Sequence, residues 1–185
     1  MIIKVRDINN EGLNLQFQEQ ATIFPTLAEM EEAGECKFIA PLVVHLRVIS
    51  INSMIEVEGS VETKVKLTCD RCLTEFEFIL SEKFTLTYAN ESNIANGIEN
   101  SDEIELKAED LGIIPFHGTE IDFSDAIQEQ VIMSFPAQAL CKEDCKGLCP
   151  QCGHNRNLED CDCKNKDLSN PFAALKKICL FFMHT

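Results

Sequence analysis

No stretch of this chain approaches the roughly 18 consecutive apolar residues of a membrane-spanning helix. The apolar tail Ile178-Cys179-Leu180-Phe181-Phe182-Met183 is far too short. The opening segment, Met1-Ile2-Ile3-Lys4-Val5-Arg6-Asp7, has no apolar core behind a basic stretch, so it does not read as a secretory signal. Both absences point to the cytoplasm and away from a membrane. Positive charge is also scarce: 16 Lys and Arg stand against 31 Asp and Glu, a net charge of −15. Such a chain cannot bind a phosphate backbone broadly, because that affinity rests on cationic neutralisation. The imbalance is uneven. Residues 91–130 carry eleven acids and one base, whereas residues 131–185 carry six acids and seven bases. Any RNA contact must therefore be local and near the C-terminal end.

Catalytic constellations are missing too. His45, His117, His154 and His184 stand in no zinc-protease spacing and no Cys–His arrangement, and no phosphate-cradling glycine loop occurs. The acids of 91–130 show no acid–base pairing. The chain reads as a binding protein rather than an enzyme, with no small-molecule substrate.

What is present begins with a core. The chain has 185 residues, 45% of them hydrophobic, enough for one core with a small appended module. Ile3 and Val5, then Leu13, Leu15 and Phe17, alternate with polar residues and suggest two short strands around Asn9-Asn10-Glu11-Gly12. Residues 25–38 fit a short helix or a loop equally. Leu42, Val44, Leu46 and Val48 share one parity, as do Ile55 through Leu67, and then Phe76, Phe78, Leu80, Phe84, Leu86 and Tyr88, with Glu82 breaking the last run. Three adjacent alternating runs predict an antiparallel β meander in an α+β fold. Residues 90–101 read as a loop and Asp102–Leu106 as a short edge strand. Asp122 or Ser124 caps a helix to about Ser134, which Pro136 ends. Asn170-Pro171 opens a C-terminal helix with Phe172, Leu175, Ile178, Cys179 and Phe182 as its apolar stripe. The expected division is a β-rich core domain with one helix over 1–136, and a cysteine-rich module with a helix packing on the core over 137–185.

The ten cysteines carry the chemistry. Cytoplasmic thiols stay reduced, so clustered cysteines there point to metal or redox use. Six fall within 23 residues: Cys141, Cys145, Cys149, Cys152, Cys161 and Cys163. Cys149-Pro150-Gln151-Cys152-Gly153 is a zinc knuckle, with two thiolates three positions apart and a glycine for the turn beneath them. Cys69-Asp70-Arg71-Cys72 falls between the second and third alternating runs, at a hairpin tip. Cys69 continues its strand's buried parity, so an ordinary core cysteine is the bland alternative. A redox role for this pair fits less well, because a strand and not a helix N-terminus follows it. Cys36 and Cys179 are isolated and read as ordinary cysteines.

Structural zinc takes four ligands, so eight clustered cysteines make two zinc sites. The preferred pairing places Cys149, Cys152, Cys161 and Cys163 on one ion, because that loop is self-contained. Cys69, Cys72, Cys141 and Cys145 would take the other, pinning the hairpin tip to a zinc-ribbon-like module. An interleaved pairing of the six C-terminal cysteines satisfies the same spacing, and an iron–sulfur cluster also accepts four thiolates. Arg71, Lys142, Lys146, Arg156, Lys164 and Lys166 are the candidate RNA contacts. The bland reading, that they offset thiolate charge or are simply solvated, is the favoured one.

Four patches resemble the bacterial YceD family, the large ribosomal RNA subunit accumulation proteins. They are Cys69-Asp70-Arg71-Cys72-Leu73 with Phe76; Ile121-Asp122 before a helix ending at Phe135-Pro136; Gly147 through Asn157 with Cys161 and Cys163; and Asn170-Pro171-Phe172-Ala173 with Leu175. Together they span about residues 55–185, and the third is the specific one. Arg156 departs from the leucine common between its two flanking asparagines. The resemblance implies a cytoplasmic, non-catalytic ribosome biogenesis factor needed for accumulation of large-subunit ribosomal RNA. Its partner would be that RNA or a basic ribosomal protein. A zinc-stapled protein-interaction adaptor unrelated to ribosomes, and a thiol-redox or iron–sulfur protein, are the alternatives.

Overall fold

The computed structural model describes residues 1–8, 12–52, 54–91, 112–159 and 161–163. The three alternating runs form three long strands: β4 (Leu42–Ile51), β5 (Met54–Thr68) and β6 (Glu75–Asn90). They pair antiparallel in sequence order, β4 with β5 and β5 with β6. Two further strands complete this side: β2 (Leu13–Glu19) pairs antiparallel with β4, and β3 (Lys37–Phe38) pairs with β5. The first hairpin is tight, with Ile51 opposite Met54. Asn52 there adopts φ 48°, a left-handed conformation that asparagine tolerates.

The parity reading sets the core. Leu42, Val44, Leu46 and Val48 of β4, Ile55, Val57, Val61, Val65 and Leu67 of β5, and Leu80 and Tyr88 of β6 are all buried. Two helices add to the same cluster. α1 (Pro25–Glu32) contributes Leu27, and α2 (Ser124–Met133) contributes Ala126, Ile127 and Val131. The ambiguous segment from residue 25 is thus helical, started by proline at its first turn. Its N-terminus is satisfied from the other helix, since the Thr26 N–H donates to Gln128 Oε1 at 2.9 Å. Thr63 shares the buried parity of β5, and its hydroxyl donates to the Ala40 carbonyl at 2.9 Å. Glu82, the break in the third run, stands opposite Val61 and keeps partial solvent access. Gly59 sits under the Phe84 ring, which occupies the space a Cβ would need.

Three details depart from expectation. Val5, read as part of the first strand, falls instead in a 3-10 helix, Val5–Asp7. β1 (Ile2–Lys4) forms a separate two-stranded sheet with β8 (Glu120–Asp122). β7 (Ile113–Phe116) was not foreseen, and it joins β6 in parallel, so the meander continues into one parallel pair. α2 begins at Ser124 behind Phe123, and Asp122 accepts the Ser124 N–H at 2.9 Å. The expected strand Asp102–Leu106, most of the 90–101 loop and the C-terminal helix lie outside the described residues.

The chain divides into two compact units. One is Met1–Asp70 with Thr74–Cys141. The other is Arg71–Leu73 with the chain from Lys142 onward. The first holds the sheets and helices. The described part of the second is built from turns, with one isolated bridge between Leu148 and Asn155.

Candidate metal centre

In the first unit, β5 delivers Cys69 to the end of its buried face, fully buried. Its N–H donates to the Thr74 carbonyl at 3.0 Å and closes the hairpin. Asp70 binds the segment after α2 twice. Its N–H donates to the Ala139 carbonyl at 2.8 Å, and its carboxylate accepts the Ala139 N–H at 2.7 Å. This clamp fixes the chain two residues before Cys141.

In the second unit, Arg71 is a structural hub. Its carbonyl accepts the Leu148 N–H at 3.0 Å, and its guanidinium donates to the Cys145 carbonyl at 3.1 Å. The next loop closes on itself. Cys149 N–H donates to His154 O at 2.7 Å, Gly153 N–H to Cys149 O at 2.8 Å, and Arg156 N–H to Gly147 O at 3.0 Å. Asn157 finishes the turn: its Oδ1 accepts the Lys146 N–H at 2.9 Å, and its Nδ2 donates to Cys145 Sγ at 3.3 Å.

The sulfurs form two groups. Those of Cys69, Cys72, Cys141 and Cys145 lie within 4.8 Å of one another, and so do those of Cys149, Cys152, Cys161 and Cys163. These are the two sets preferred from spacing, and neither mixes with the other. None of these eight cysteines forms a disulfide. Tetrahedral zinc, with Zn–S of about 2.3 Å, spaces its sulfurs by about 3.8 Å, so either group closes on one ion with small side-chain movement. The donor set therefore fits, and each tetrad could hold a metal ion.

Electrostatics in the second tetrad agree. The backbone N–H groups of Cys152 and Gln151, followed by the Cys161 thiol, stabilise the Cys149 thiolate and lower its pKa to about 6. Cys163 moves the opposite way, to about 12, through its hydrogen bond with Cys152 and then burial. Cys161 is also raised, chiefly by its hydrogen bond with Cys149. Four adjacent thiols do not all ionise without a cation. A bound metal supplies that charge and displaces the protons. A four-thiolate ion is coordinatively closed, so such a site builds structure and leaves no open position for water.

The candidate cations divide. Arg71 is tied to the Cys145 carbonyl, and Lys142 lies 3.8 Å from Asp144. Lys146 and Arg156 are exposed. Lys164 and Lys166 lie outside the described residues. His154 is not in either sulfur group, and its buried Nε2 has no hydrogen-bond partner among the described residues.

Gly147 adopts φ +70°, and a Cβ there would sit 3.0 Å from the Arg71 carbonyl oxygen. Gly153 adopts a similar φ, +72°, with open space around it. Gly153→Ala should cost about 1 kcal/mol from the left-handed backbone alone. Gly147→Ala should cost about 2–3 kcal/mol, because the contacted atom is backbone and cannot swing away. Denaturant titration of the metal-loaded chain checks this. Equal costs would mean that the Arg71 contact yields freely.

A family model described as "Large ribosomal RNA subunit accumulation protein YceD" matches residues 57–179. An Arabidopsis thaliana protein named "Large ribosomal RNA subunit accumulation protein YCED homolog 1, chloroplastic" is 26% identical over 152 residues, covering 73% of this chain and 47% of that protein. A Zea mays protein of the same name is 25% identical over 149 residues, covering 69% and 50%. An uncharacterized protein of Mycobacterium tuberculosis is 28% identical over 114 residues, covering 62% and 51%. The chain thus spans about half the length of the curated relatives it matches. No solved structure shows significant similarity to it. Among the described residues no helix is long and apolar enough to cross a membrane.

Proposed function

The chain belongs to the YceD family, and from that premise we propose that it is a non-catalytic, cytoplasmic ribosome biogenesis factor needed for accumulation of large-subunit ribosomal RNA. The observation that carries the reading is the pair of sulfur tetrads inside the family match. Their residues fall within 69–163, all between the matched limits of 57 and 179. Each tetrad holds one structural zinc ion. Its sulfurs converge at the spacing of a single ion, whereas an iron–sulfur cluster carries its thiolates on separate irons and spreads them further apart.

The partner is more readily a basic ribosomal protein than bare RNA. A net charge of −15 repels a phosphate backbone, and two of the module's cations already have partners. Depleting the protein should lower large-subunit ribosomal RNA relative to small-subunit RNA. The wild-type chain should restore it, and a Cys149→Ser/Cys152→Ser double variant should not. The protein should co-sediment with large-subunit precursors and stay bound to a basic ribosomal protein after nuclease treatment. Unchanged RNA levels on depletion would reject the reading. Release by nuclease would transfer the contact to RNA, with the exposed Lys146 and Arg156 as its first candidates.

A further inference from the structure

Asn157 and Asn155 belong to neither tetrad, yet hydrogen bonds among the described residues fix the direction of both side chains. The orientation of Asn157 follows from chemistry. The Lys146 backbone N–H can only donate, so the atom accepting it at 2.9 Å is Oδ1. The amide nitrogen must then face the other way, toward Cys145 Sγ at 3.3 Å and Asn155 Oδ1 at 2.9 Å. Asn155 Oδ1 is fixed in turn, because it also accepts the Asn157 backbone N–H at 3.0 Å. The pair aims one N–H at one thiolate of the first sulfur group.

What holds the pair is the loop of the second group. Asn155 bridges Leu148, Cys149 N–H binds His154 O, and Arg156 N–H binds Gly147 O. The knuckle cysteines Cys149 and Cys152 lie inside that closed turn, and the asparagines follow it directly. An ion on Cys149, Cys152, Cys161 and Cys163 would pin both ends of the segment that carries them. A donor to a ligating sulfur fixes its orientation and softens its charge, and losing such an outer partner typically costs about 10–100-fold in metal affinity.

We propose that Asn157, oriented by Asn155, is a positioning residue for the Cys145 thiolate, and that through it an ion in the knuckle tetrad strengthens metal binding at the tetrad of Cys69, Cys72, Cys141 and Cys145. The inference rests on the reading that both tetrads take metal. The loading order follows: the self-contained knuckle fills first and the other tetrad second. Linkage makes the coupling reciprocal in binding free energy, so the second ion also tightens the first.

The test is cobalt and zinc titration of the full chain against a chromophoric chelator, with Cys→Ser variants identifying each site. In Asn157→Asp the acceptor for Lys146 N–H survives and the side chain keeps its size, but a carboxylate replaces the N–H facing sulfur. This variant should release the ion of the Cys145 tetrad about tenfold or more readily, while the knuckle ion weakens less. The sulfur-to-cobalt charge-transfer band of that site alone should shift, which a change in folding stability would not produce. Cys149→Ser/Cys152→Ser should lose its own ion and weaken the remaining one by a similar factor. Asn157→Ser, smaller and uncharged, guards against misfolding and should fall between wild type and Asn157→Asp. Two ions bound as tightly in Asn157→Asp as in wild type, with an unshifted band, would overturn the proposal and leave the metal reading standing. A wild-type chain that takes up neither cobalt nor zinc would remove both.

Discussion

Stripping metal from the purified chain should unfold the cysteine module and leave the sheet intact. Among the described residues of 141–163 the only buried positions are Cys145, Gly147 and Cys149. Two of these three are candidate ligands, so no apolar core remains once the ions leave. The turn hydrogen bonds contribute about 0.5–1.5 kcal/mol each. Structural zinc in comparably small modules is worth an apparent 10–16 kcal/mol or so at neutral pH. A bound metal would therefore dominate there. The first unit has its own buried cluster of Val44, Val48, Val57, Val65, Leu80 and Ile127 and needs no ion. After dialysis against chelator, amide resonances of residues 142–159 should collapse to unfolded positions, while those of β4, β5 and β6 hold. Readded zinc should reverse the change. Plasma mass spectrometry of protein prepared without chelator should find about two zinc ions per chain, as four thiolates per ion require. One ion would confine metal to a single tetrad, and iron would favour the redox alternative. Module resonances unmoved by complete removal of metal would show that the tetrads are not structural sites.

The second large effect lies under the sheet. Phe123 is almost fully buried and meets Tyr88 edge-to-face, with ring centroids 5.4 Å apart at 81°. Phe123→Ala removes a ring from the junction of β6 and α2 and should cost about 3–5 kcal/mol in denaturant unfolding. Tyr88→Phe should act in the opposite direction. Among the described residues the buried Tyr88 hydroxyl has no hydrogen-bond partner, so deleting it relieves a desolvation penalty and should stabilise the chain by about 1 kcal/mol. Burial, followed by the carboxylates of Glu129, Asp122 and Asp125, pushes the Tyr88 phenol well above its ordinary range. At alkaline pH the unfolded chain releases this proton and the folded chain retains it. Wild type should therefore lose stability from about pH 10 upward, and Tyr88→Phe should lose less. A destabilised Tyr88→Phe variant would mean that the hydroxyl has a partner in solution.

The long strands were legible because each carries a period of two over many residues, and a one-residue slip would turn the whole apolar set to solvent. The same parity placed Cys69 on a buried face, and both the bland and the metal reading of it agree with its burial. Short elements were less legible. β1 has three residues and β7 four, too few for a periodic signal, and each pairs with a segment distant in sequence. The parallel partner of β6 in particular leaves no local mark, since no tight turn joins the two strands. Asn157 carries no signal of its own in the sequence beyond the patch that resembles the family. Its role depends on which backbone N–H its Oδ1 meets, and that is a property of the folded turn.

The sequence by itself determined the three-stranded heart of the sheet, the helix before Pro136 and the eight clustered thiols, because periodicity and ligand spacing are local and act over a few residues. Tertiary structure alone decided that the thiols fall into two unmixed tetrads, that β1 leaves the main sheet, and that an asparagine donates to Cys145. The pairing of β1 with β8 and the meeting of Cys69 with Cys145 need groups distant in sequence, whereas the Asn157 contact depends on how one short turn closes.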